Sequence, residues 1–194
     1  KNNYLPITIL QGVNVEEACE IDSSQSSQTT SGWMVALAVR AEEKHITICG
    51  AVSRPYIGLT AHLLGMFGAN VEVGGKEPME IDIRPSKLQG REMALSTDWS
   101  SAGYFATSFA IAQSGFAPRE AYTLQATIHT HQPDEQIVDI LHSMGAKIEP
   151  TEGGFRFMPS GRLHAVEFDA TDAPDLIPTL AVTALYAEGT SRIG

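Results

Sequence analysis

Two short segments of this sequence combine side-chain hydroxyl groups with the start of a predicted helix. Ser26-Ser27-Gln28 comes immediately before an apolar run of helical character, and Ser53-Arg54-Pro55-Tyr56 opens a second helix. The first N–H groups of a helix have no partner within it and carry partial positive charge, so a phosphate or carboxylate binds there favourably. The first segment is therefore a candidate anion site. Plain helix capping by serine is its structural alternative.

The second segment adds a cation and a phenol to a helix start. Pro55 suits the first turn, where its missing N–H costs nothing. Arg54 can neutralise a phosphate or carboxylate, while Ser53 and Tyr56 offer hydroxyl groups to a polyol ring. A surface arginine beside a capping serine is the structural alternative. Two such helix starts in succession favour the functional interpretation.

Carboxylates precede two further predicted helices. Asp172 and Asp175 stand before an apolar segment near the end of the chain, and Asp98 stands before another in the middle. An acidic group at a helix start is normally a favourable cap. A carboxylate that is hydrogen-bonded to a substrate hydroxyl can instead orient that hydroxyl and accept its proton. For Asp98 capping is favoured, whereas for Asp172 and Asp175 both interpretations stay open at this point.

The helices that would position these groups recur along the chain. Apolar helical segments cover residues 26–38, 100–112 and 172–187, and the first two begin 74 residues apart. Apolar residues on most of their faces predict buried helices. An amphipathic helix with an apolar stripe follows each of the first two. It ends before Gly68 or Gly145, because glycine tolerates the positive φ at which a helix stops.

Short β-branched or alternating runs between the helices predict strands. The repeated unit is a buried helix, a strand, an amphipathic helix and a strand pair, roughly 75 residues of α+β structure. Because the third copy stops after its first helix, we expect this sequence to be a fragment of a longer protein. The predicted strands are residues 7–10, 18–21, 46–49, 79–83, 93–96, 122–128, 155–158 and 166–168.

Composition excludes several classes of function. The formal charge of −10, from 13 basic and 23 acidic residues, disfavours a nucleic-acid surface, which needs clustered Lys and Arg. No apolar run approaches the roughly 20 residues of a membrane span, so we expect a cytoplasmic protein without membrane contact. Cys19 and Cys49 lie among β-type residues, which predicts two buried thiols. His129 and His131 would share a strand face. We do not predict a metal site there, because the sequence offers no third ligand at a suitable spacing.

The sequence resembles the 5-enolpyruvylshikimate-3-phosphate synthase family along essentially its whole length. Four pieces carry the resemblance, in the family's order: Ser26-Ser27-Gln28, Ser53-Arg54-Pro55-Tyr56-Ile57, Asp98-Trp99-Ser100-Ser101-Ala102-Gly103-Tyr104-Phe105 and Pro174-Asp175-Leu176-Ile177-Pro178. The resemblance implies an α+β fold of repeated βαβαββ subdomains, the enolpyruvyl transferase fold, present here incompletely. Residues 1–95 would be the later part of a first, shikimate-phosphate-binding domain. Residues 96–194 would be the early part of a second domain, truncated in its last repeat.

The resemblance also implies an activity and a site. The family transfers the enolpyruvyl group of phosphoenolpyruvate to the 5-hydroxyl of shikimate-3-phosphate, in aromatic amino-acid biosynthesis, and no metal or redox cofactor is implied. Asp175 looks like the carboxylate that binds the ring hydroxyls and helps to activate the attacking one. The implied contacts to the substrates are Ser26, Ser27, Gln28, Ser53, Arg54 and Tyr56.

The sequence also departs from the family pattern. The family's N-terminal Lys-containing loop, its Gly-rich phosphoenolpyruvate loop and its late Arg and Lys residues are absent, and Thr29 replaces a frequent aromatic residue. We therefore expect no turnover by this chain alone and expect the remainder of the same enzyme as its partner. UDP-N-acetylglucosamine enolpyruvyl transferase is one alternative, which Ser-Ser-Gln and Ser-Arg-Pro-Tyr disfavour. A non-catalytic α+β scaffold or binding module is the other.

Overall fold

A computed structural model describes residues 18–40, 42–116 and 120–194 of the chain. The strand predicted at residues 7–10 lies outside these ranges. Within them, helices and strands alternate in the α+β manner predicted from the sequence. None of the helices in the described part of the chain has the length and apolar character needed to cross a membrane.

The first part of the chain is one complete βαβαββ unit, a four-stranded sheet packed against two helices. The sheet order is β1-β2-β4-β3, with β1 parallel to β2 and with β4 antiparallel to both of its neighbours. The parallel pair requires a crossover connection, which α1 supplies. The elements are β1 (Ala18–Asp22), α1 (Ser27–Ala38), β2 (Lys44–Cys49), α2 (Arg54–Met66), β3 (Asn70–Gly75) and β4 (Met79–Arg84).

The second part repeats this unit from its first helix onward. Its sheet order is β5-β7-β6 with antiparallel pairs, which matches the order β2-β4-β3 of the first unit. As predicted, Gly68 and Gly145 end the amphipathic helices with positive φ, at 89° and 100°. The elements are α3 (Trp99–Ile111), a π-helical turn (Ala112–Phe116), β5 (Tyr122–Gln125), a 3-10 turn (Pro133–Gln136), α4 (Ile137–Ser143), β6 (Lys147–Thr151) and β7 (Gly154–Met158).

The end of the chain forms a third, shorter β-α-β arrangement. Two short strands pair in parallel with two that follow the helix, β8 with β10 and β9 with β11. This arrangement corresponds to β1-α1-β2 of the first unit, with each strand broken into two pieces. The elements are β8 (Leu163–His164), β9 (Glu167–Phe168), α5 (Leu176–Ala184), β10 (Ala187–Glu188) and β11 (Arg192–Ile193).

The described residues pack around two separate cores. Residues 18–84, which we call the first lobe, enclose a core in which Ile46, Ile48 and Ile81 are fully buried. Residues 99–194, the second lobe, share a core that includes Trp99 and Leu141 and joins the second and third units. Residues 85–98 connect the lobes without a helix or strand. The predicted boundary at 95 and 96 falls in this segment, and the assignment to two domains of a larger enzyme stays a prediction.

Two predicted strands are wrong in whole or in part. Residues 93–96 form no strand, and the strand predicted at 122–128 ends at Gln125. Beyond Gln125 the chain turns, because the Glu135 carboxylate accepts hydrogen bonds from the backbone N–H groups of His129 and Thr130. His129 and His131 have φ of 59° and 63°, so the prediction that they share a strand face is also wrong.

Burial corrects two further predictions. Cys19 and Cys49 are free thiols, but both are half-buried, not buried. The helices predicted to be buried on most faces are buried on one face only. Val35 of α1 is 53% exposed, and Phe105 of α3 and Val182 of α5 are 58% and 49% exposed. Apolar helix faces of this kind are typical of surfaces that pack against further structure.

Candidate functional site

A cavity of about 630 Å³ lies between the two lobes and collects the amino ends of three helices. The first lobe contributes the starts of α1 and α2, and the second lobe contributes the start of α5. Six of the seven predicted site residues line this cavity: Ser26, Ser27, Gln28, Ser53, Tyr56 and Asp175. Arg54 is the seventh, and it is not among the lining residues that the structure describes.

The start of α1 presents a neutral cap to the cavity. Ser26 is the N-cap in an extended conformation, and its Oγ accepts a hydrogen bond from the backbone N–H of Gln28 at 3.1 Å. Ser23 donates its hydroxyl to the Ser26 carbonyl at 3.0 Å and accepts one from Thr30 at 3.1 Å, which fixes the turn before the helix. The first turn holds no acidic residue. The helix end therefore keeps its partial positive charge for an anion.

The start of α2 differs from the start of α1. As predicted, residues 53–56 open this helix, with Ser53 at the N-cap position and Pro55 in the first turn, but the Ser53 side chain makes no capping bond. Ser53 has a φ of 51°, a left-handed conformation that costs a non-glycine residue roughly 1 kcal/mol or more. A backbone hydrogen bond from its N–H to the Thr171 carbonyl, 3.1 Å long, holds it against the second lobe. Ser53 therefore lines the cavity, and its side chain does not cap its own helix.

Tyr56, one turn further along α2, is fixed by the opposite lobe. Its hydroxyl donates to Oδ2 of Asp134 at 2.9 Å, and the Ser100 hydroxyl donates to the same oxygen. Burial raises the pKa of the Tyr56 hydroxyl above its ordinary value, and the bond to Asp134 acts in the same direction. Tyr56 therefore stays protonated and acts as a hydrogen-bond donor.

Arg54 binds a carboxylate of the other lobe. Its Nε and Nη2 atoms donate to the two oxygens of Asp172, each at 3.2 Å, in a bidentate pair. Both side chains are partly exposed, so the pair contributes less than a buried one would. In this arrangement the positive charge of Arg54 is offset by Asp172, and a role of Arg54 in substrate binding stays a prediction.

Asp175 stands at the N-cap position of α5 and leaves its carboxylate free of the helix. Its backbone is helical, and its side chain makes no capping bond. Partial burial raises the pKa of the Asp175 carboxyl, and the negative charges of Asp134 and Asp98 raise it further. A carboxylate with a raised pKa accepts a proton more readily than an ordinary one.

Asp98 is a helix cap, as the sequence favoured. Its Oδ1 accepts hydrogen bonds from the backbone N–H groups of Ser100 and Ser101 at 3.1 and 3.4 Å. The Ser101 hydroxyl donates to its Oδ2 at 2.6 Å and is the main reason that the pKa of Asp98 is lowered. Asp98 therefore acts on its own helix.

Sequence reasoning missed several parts of this region. Leu59 and Leu63 belong to the predicted apolar stripe of the amphipathic helix that ends before Gly68, yet both line the cavity together with Ile177. Their helical spacing was visible, but it does not distinguish a cavity wall from a packed face. Asp134 was missed entirely, since an acidic residue after a proline is typical of an ordinary helix start.

The lining of the cavity carries little charge. Among the described lining residues, Asp175 is the one with a charged side chain, and none is Lys or Arg. No group of three or more His, Cys, Asp or Glu side chains in the described ranges is arranged to hold a metal ion. The site can therefore offer helix-end N–H groups, hydroxyl groups and one carboxylate, and it needs cations from elsewhere to neutralise a multiply charged substrate.

Comparison with known proteins places this arrangement in a family. The whole chain, residues 1–194, matches the family model described as EPSP synthase (3-phosphoshikimate 1-carboxyvinyltransferase). The 3-phosphoshikimate 1-carboxyvinyltransferase of Methanopyrus kandleri is 34% identical over 189 residues, which are 97% of this chain and 42% of that protein. The protein of the same name from Methanosarcina mazei is 33% identical over 196 residues, 99% of this chain and 44% of that protein.

A solved structure shares the fold. The enolpyruvyl transferase NikO from Streptomyces tendae superposes with a TM-score of 0.60 at 20% identity, over 91% of this chain and 43% of that one. This likeness confirms the predicted enolpyruvyl transferase fold. The chain spans less than half the length of the curated relatives it matches.

Proposed function

This chain belongs to the EPSP synthase family, and from that premise we propose that it forms the acceptor site of an enolpyruvyl transferase. The enzyme would transfer the enolpyruvyl group of phosphoenolpyruvate to the 5-hydroxyl of shikimate-3-phosphate. One observation carries the proposal. Residues from three helix starts, contributed by both lobes, line a single cavity. Its volume of about 630 Å³ falls in the range of small-molecule sites.

The phosphate of the acceptor would lie at the start of α1. The N-cap there is neutral and the first turn has no acidic residue, so the helix end favours a phosphate group. The hydroxyl groups of Ser26 and Ser27 add donors at the same place. Ser53 and Tyr56 face the cavity from α2 and offer hydroxyl groups to the shikimate ring.

Asp175 would act on the ring hydroxyl that attacks. Asp175 lines the cavity and makes no capping bond to its own helix, and its pKa is raised by partial burial and by Asp134 and Asp98. A carboxylate in that state accepts a hydrogen bond from a substrate hydroxyl and then takes its proton. Asp175 is therefore assigned as the general base of the proposed reaction.

The reaction balances in two steps. In the first, the 5-hydroxyl oxygen forms a bond to C2 of phosphoenolpyruvate while its proton passes to Asp175, and a general acid from the rest of the enzyme protonates the methylene carbon. In the second, the resulting methyl group returns a proton to the conjugate base of that acid and the C2–O bond to phosphate breaks. The products are the enolpyruvyl ether of shikimate-3-phosphate and inorganic phosphate. The mechanism uses proton transfer and positioning by the residues named above.

The remaining groups of the site would come from protein outside these 194 residues. The described lining has no Lys or Arg, and the chain carries a net charge of −10, so the phosphates of both substrates are not neutralised here. The apolar faces of α1, α3 and α5 are exposed, as expected if further subdomains pack on them. We propose that residues 1–95 and 96–194 belong to two domains of this larger enzyme, in the cytoplasm.

Titration with shikimate-3-phosphate tests the acceptor site without requiring turnover. We expect the 194-residue chain to bind shikimate-3-phosphate in a calorimetric titration and not to bind UDP-N-acetylglucosamine, the acceptor of the alternative enzyme. Asp175→Asn should weaken binding by roughly tenfold, because a hydrogen bond to a charged group is lost. Asp139→Asn changes the charge equally at an exposed position of α4 and should leave the affinity unchanged.

Three results would contradict the proposal. A folded chain that does not bind shikimate-3-phosphate overturns the acceptor site and favours the scaffold alternative. Binding of UDP-N-acetylglucosamine instead would transfer the assignment to the other enolpyruvyl transferase. Equal effects of Asp175→Asn and Asp139→Asn would remove Asp175 from the site. Circular dichroism of each variant establishes that it is folded.

A further inference from the structure

Asp134 is a buried carboxylate that the proposed reaction does not use. It lies in the 3-10 turn before α4, and no part of its side chain is exposed to solvent. It is not among the residues that line the cavity. A carboxylate withdrawn from water costs several kcal/mol unless its partners compensate. Its contacts therefore need an explanation.

One oxygen of Asp134 joins three elements of the structure. Its Oδ2 accepts hydrogen bonds from the Tyr56 hydroxyl, at 2.9 Å, and from the Ser100 hydroxyl. Tyr56 belongs to α2 of the first lobe and lines the cavity, whereas Ser100 belongs to the first turn of α3. The bond to Tyr56 crosses between the lobes, 78 residues apart in the sequence. A residue of the second lobe thus orients a wall of the cavity in the first.

The other oxygen argues against a purely stabilising role. Oδ1 of Asp134 is buried and has no hydrogen-bond partner among the described residues. Leaving a buried polar atom unpaired costs about 1–3 kcal/mol, so stability alone does not explain a carboxylate at this position. Its Oδ2 atom instead fixes the positions of the Tyr56 and Ser100 hydroxyl groups.

The turn that carries Asp134 is held rigidly from both sides. Glu135 accepts hydrogen bonds from the backbone of His129 and Thr130. Gln132 accepts one from the Trp99 backbone N–H at 2.8 Å and donates one to the Thr97 carbonyl at 2.6 Å. A side chain mounted on such a support holds its partner within the small tolerance that a binding site requires.

We propose that Asp134 is a positioning residue for the acceptor site, holding the Tyr56 hydroxyl in the orientation in which it meets the substrate. The inference rests on the proposed function and deepens it, because it assigns a role to a residue outside the cavity. Asp134 acts through Tyr56 and does not touch the substrate. Its loss should therefore have the same effect as the loss of the Tyr56 hydroxyl, and the two losses should not add.

A double-mutant cycle on shikimate-3-phosphate binding tests this coupling. We expect Asp134→Ala and Tyr56→Phe each to weaken binding by roughly tenfold, and the double variant to be no weaker than either single variant. Asp134→Asn keeps an oxygen that accepts from Tyr56 and should recover most of the affinity. Asp139→Ala, at an exposed position five residues away, is the control and should bind like the native chain. Losses that multiply in the double variant would overturn the proposal, as would native affinity in a folded Asp134→Ala variant.

If Asp134→Ala does not fold, Asp134→Asn replaces it in the cycle. Its smaller loss should then disappear in the Tyr56→Phe background, and a loss that persists there contradicts the coupling. A second measurement does not depend on the ligand. In NMR spectra of the chain with ¹³C-labelled tyrosine rings, Asp134→Asn should shift the Tyr56 signals, and Asp139→Asn should not.

The two measurements separate the two proposals. If the native chain does not bind shikimate-3-phosphate, the proposed function fails, and the tyrosine spectrum still judges whether Asp134 positions Tyr56. Unchanged Tyr56 signals in Asp134→Asn would overturn the positioning role even if the native chain binds shikimate-3-phosphate.

Discussion

The starts of α1 and α3 occupy equivalent places in the repeated unit, yet they are used differently. In α1 the cap is the neutral Ser26, and the helix end faces the cavity. In α3 the cap is Asp98, whose carboxylate takes the backbone N–H groups of Ser100 and Ser101. A helix end that already holds its own anion has little attraction left for another. A neutral capping residue thus leaves the helix start available to an anion, whereas a capping carboxylate occupies it.

The start of α5 is the third equivalent helix start, and it differs from the other two. Asp175 is an anion like Asp98, but its helical backbone keeps the carboxylate from capping α5. The carboxylate remains available to the cavity, and its pKa is raised where the pKa of Asp98 is lowered. Hydrogen bonds, mainly from the Ser101 hydroxyl, lower the pKa of Asp98, whereas partial burial and the negative charges of Asp134 and Asp98 raise the pKa of Asp175. Local backbone geometry therefore separates a structural carboxylate from a chemical one.

Giving α1 the cap of α3 should have the largest effect on this comparison. Ser26→Asp keeps a good N-cap but puts a negative charge where the phosphate would bind. Two unit charges about 4 Å apart repel by about 4 kcal/mol at a partly exposed site, so shikimate-3-phosphate binding should weaken by at least about 100-fold. Isothermal titration calorimetry measures the loss.

Ser26→Asn is the matched control for this change. Asparagine caps as well as aspartate and has no charge, so this variant should bind within about threefold of the native chain. Thermal unfolding should be nearly the same for both variants. Equal weakening by Ser26→Asn and Ser26→Asp would mean that shape and not charge distinguishes the two helix starts.

Removing the cap of α3 should affect stability and leave binding largely intact. Asp98→Ala leaves the N–H groups of Ser100 and Ser101 without their partner and should cost about 1 kcal/mol, or about 2–4 °C in Tm. Calorimetric unfolding of the native and variant chains checks this. A similar decrease in Tm for Ser26→Ala would reflect the ordinary loss of a helix cap. A loss of shikimate-3-phosphate affinity in Asp98→Ala would contradict the structural role of Asp98.

The effect of Asp98 should also depend on pH. The pKa of Asp98 is lowered in the folded chain, mainly by the Ser101 hydroxyl. Its contribution is therefore complete above the unfolded carboxyl pKa of about 3.9 and is lost as the pH falls through the lower folded value. The difference in Tm between the native chain and Asp98→Ala should shrink below about pH 4. A difference that persists in strong acid would rule out the carboxylate as its source.

Local patterns predicted the parts of this structure that depend on neighbouring residues. The helix starts, the positive φ of Gly68 and Gly145 and the order of helix and strand follow from capping, glycine and periodicity. The same rules failed at residues 126–131, where the side chain of Glu135 reorganises the backbone after β5. A strand-like sequence does not reveal such a competing acceptor.

Contacts between the lobes were beyond sequence reasoning. Tyr56 and Asp134 are 78 residues apart, and Arg54 and Asp172 are 118 apart. Nothing in the local pattern of either member identifies its partner. Nor does the local pattern of any one helix start reveal that three of them line a single cavity. Its electrostatics, including the pairing of Arg54, follow from the packing of the lobes.

The pair of Arg54 and Asp172 should give the smallest effect and separates two roles for Arg54. Because both side chains are partly exposed, Arg54→Gln and Asp172→Asn should each lower the Tm by less than about 2 °C, with most of the loss shared in the double variant. Arg162→Gln removes an exposed ion pair that lies within the second lobe, with Glu188 at 2.6 Å, and is the control. If Arg54 only joins the two lobes, Arg54→Gln should weaken shikimate-3-phosphate binding no more than Asp172→Asn does. A tenfold loss confined to Arg54→Gln would instead make it the cation of the substrate site, released from Asp172 when the phosphate arrives.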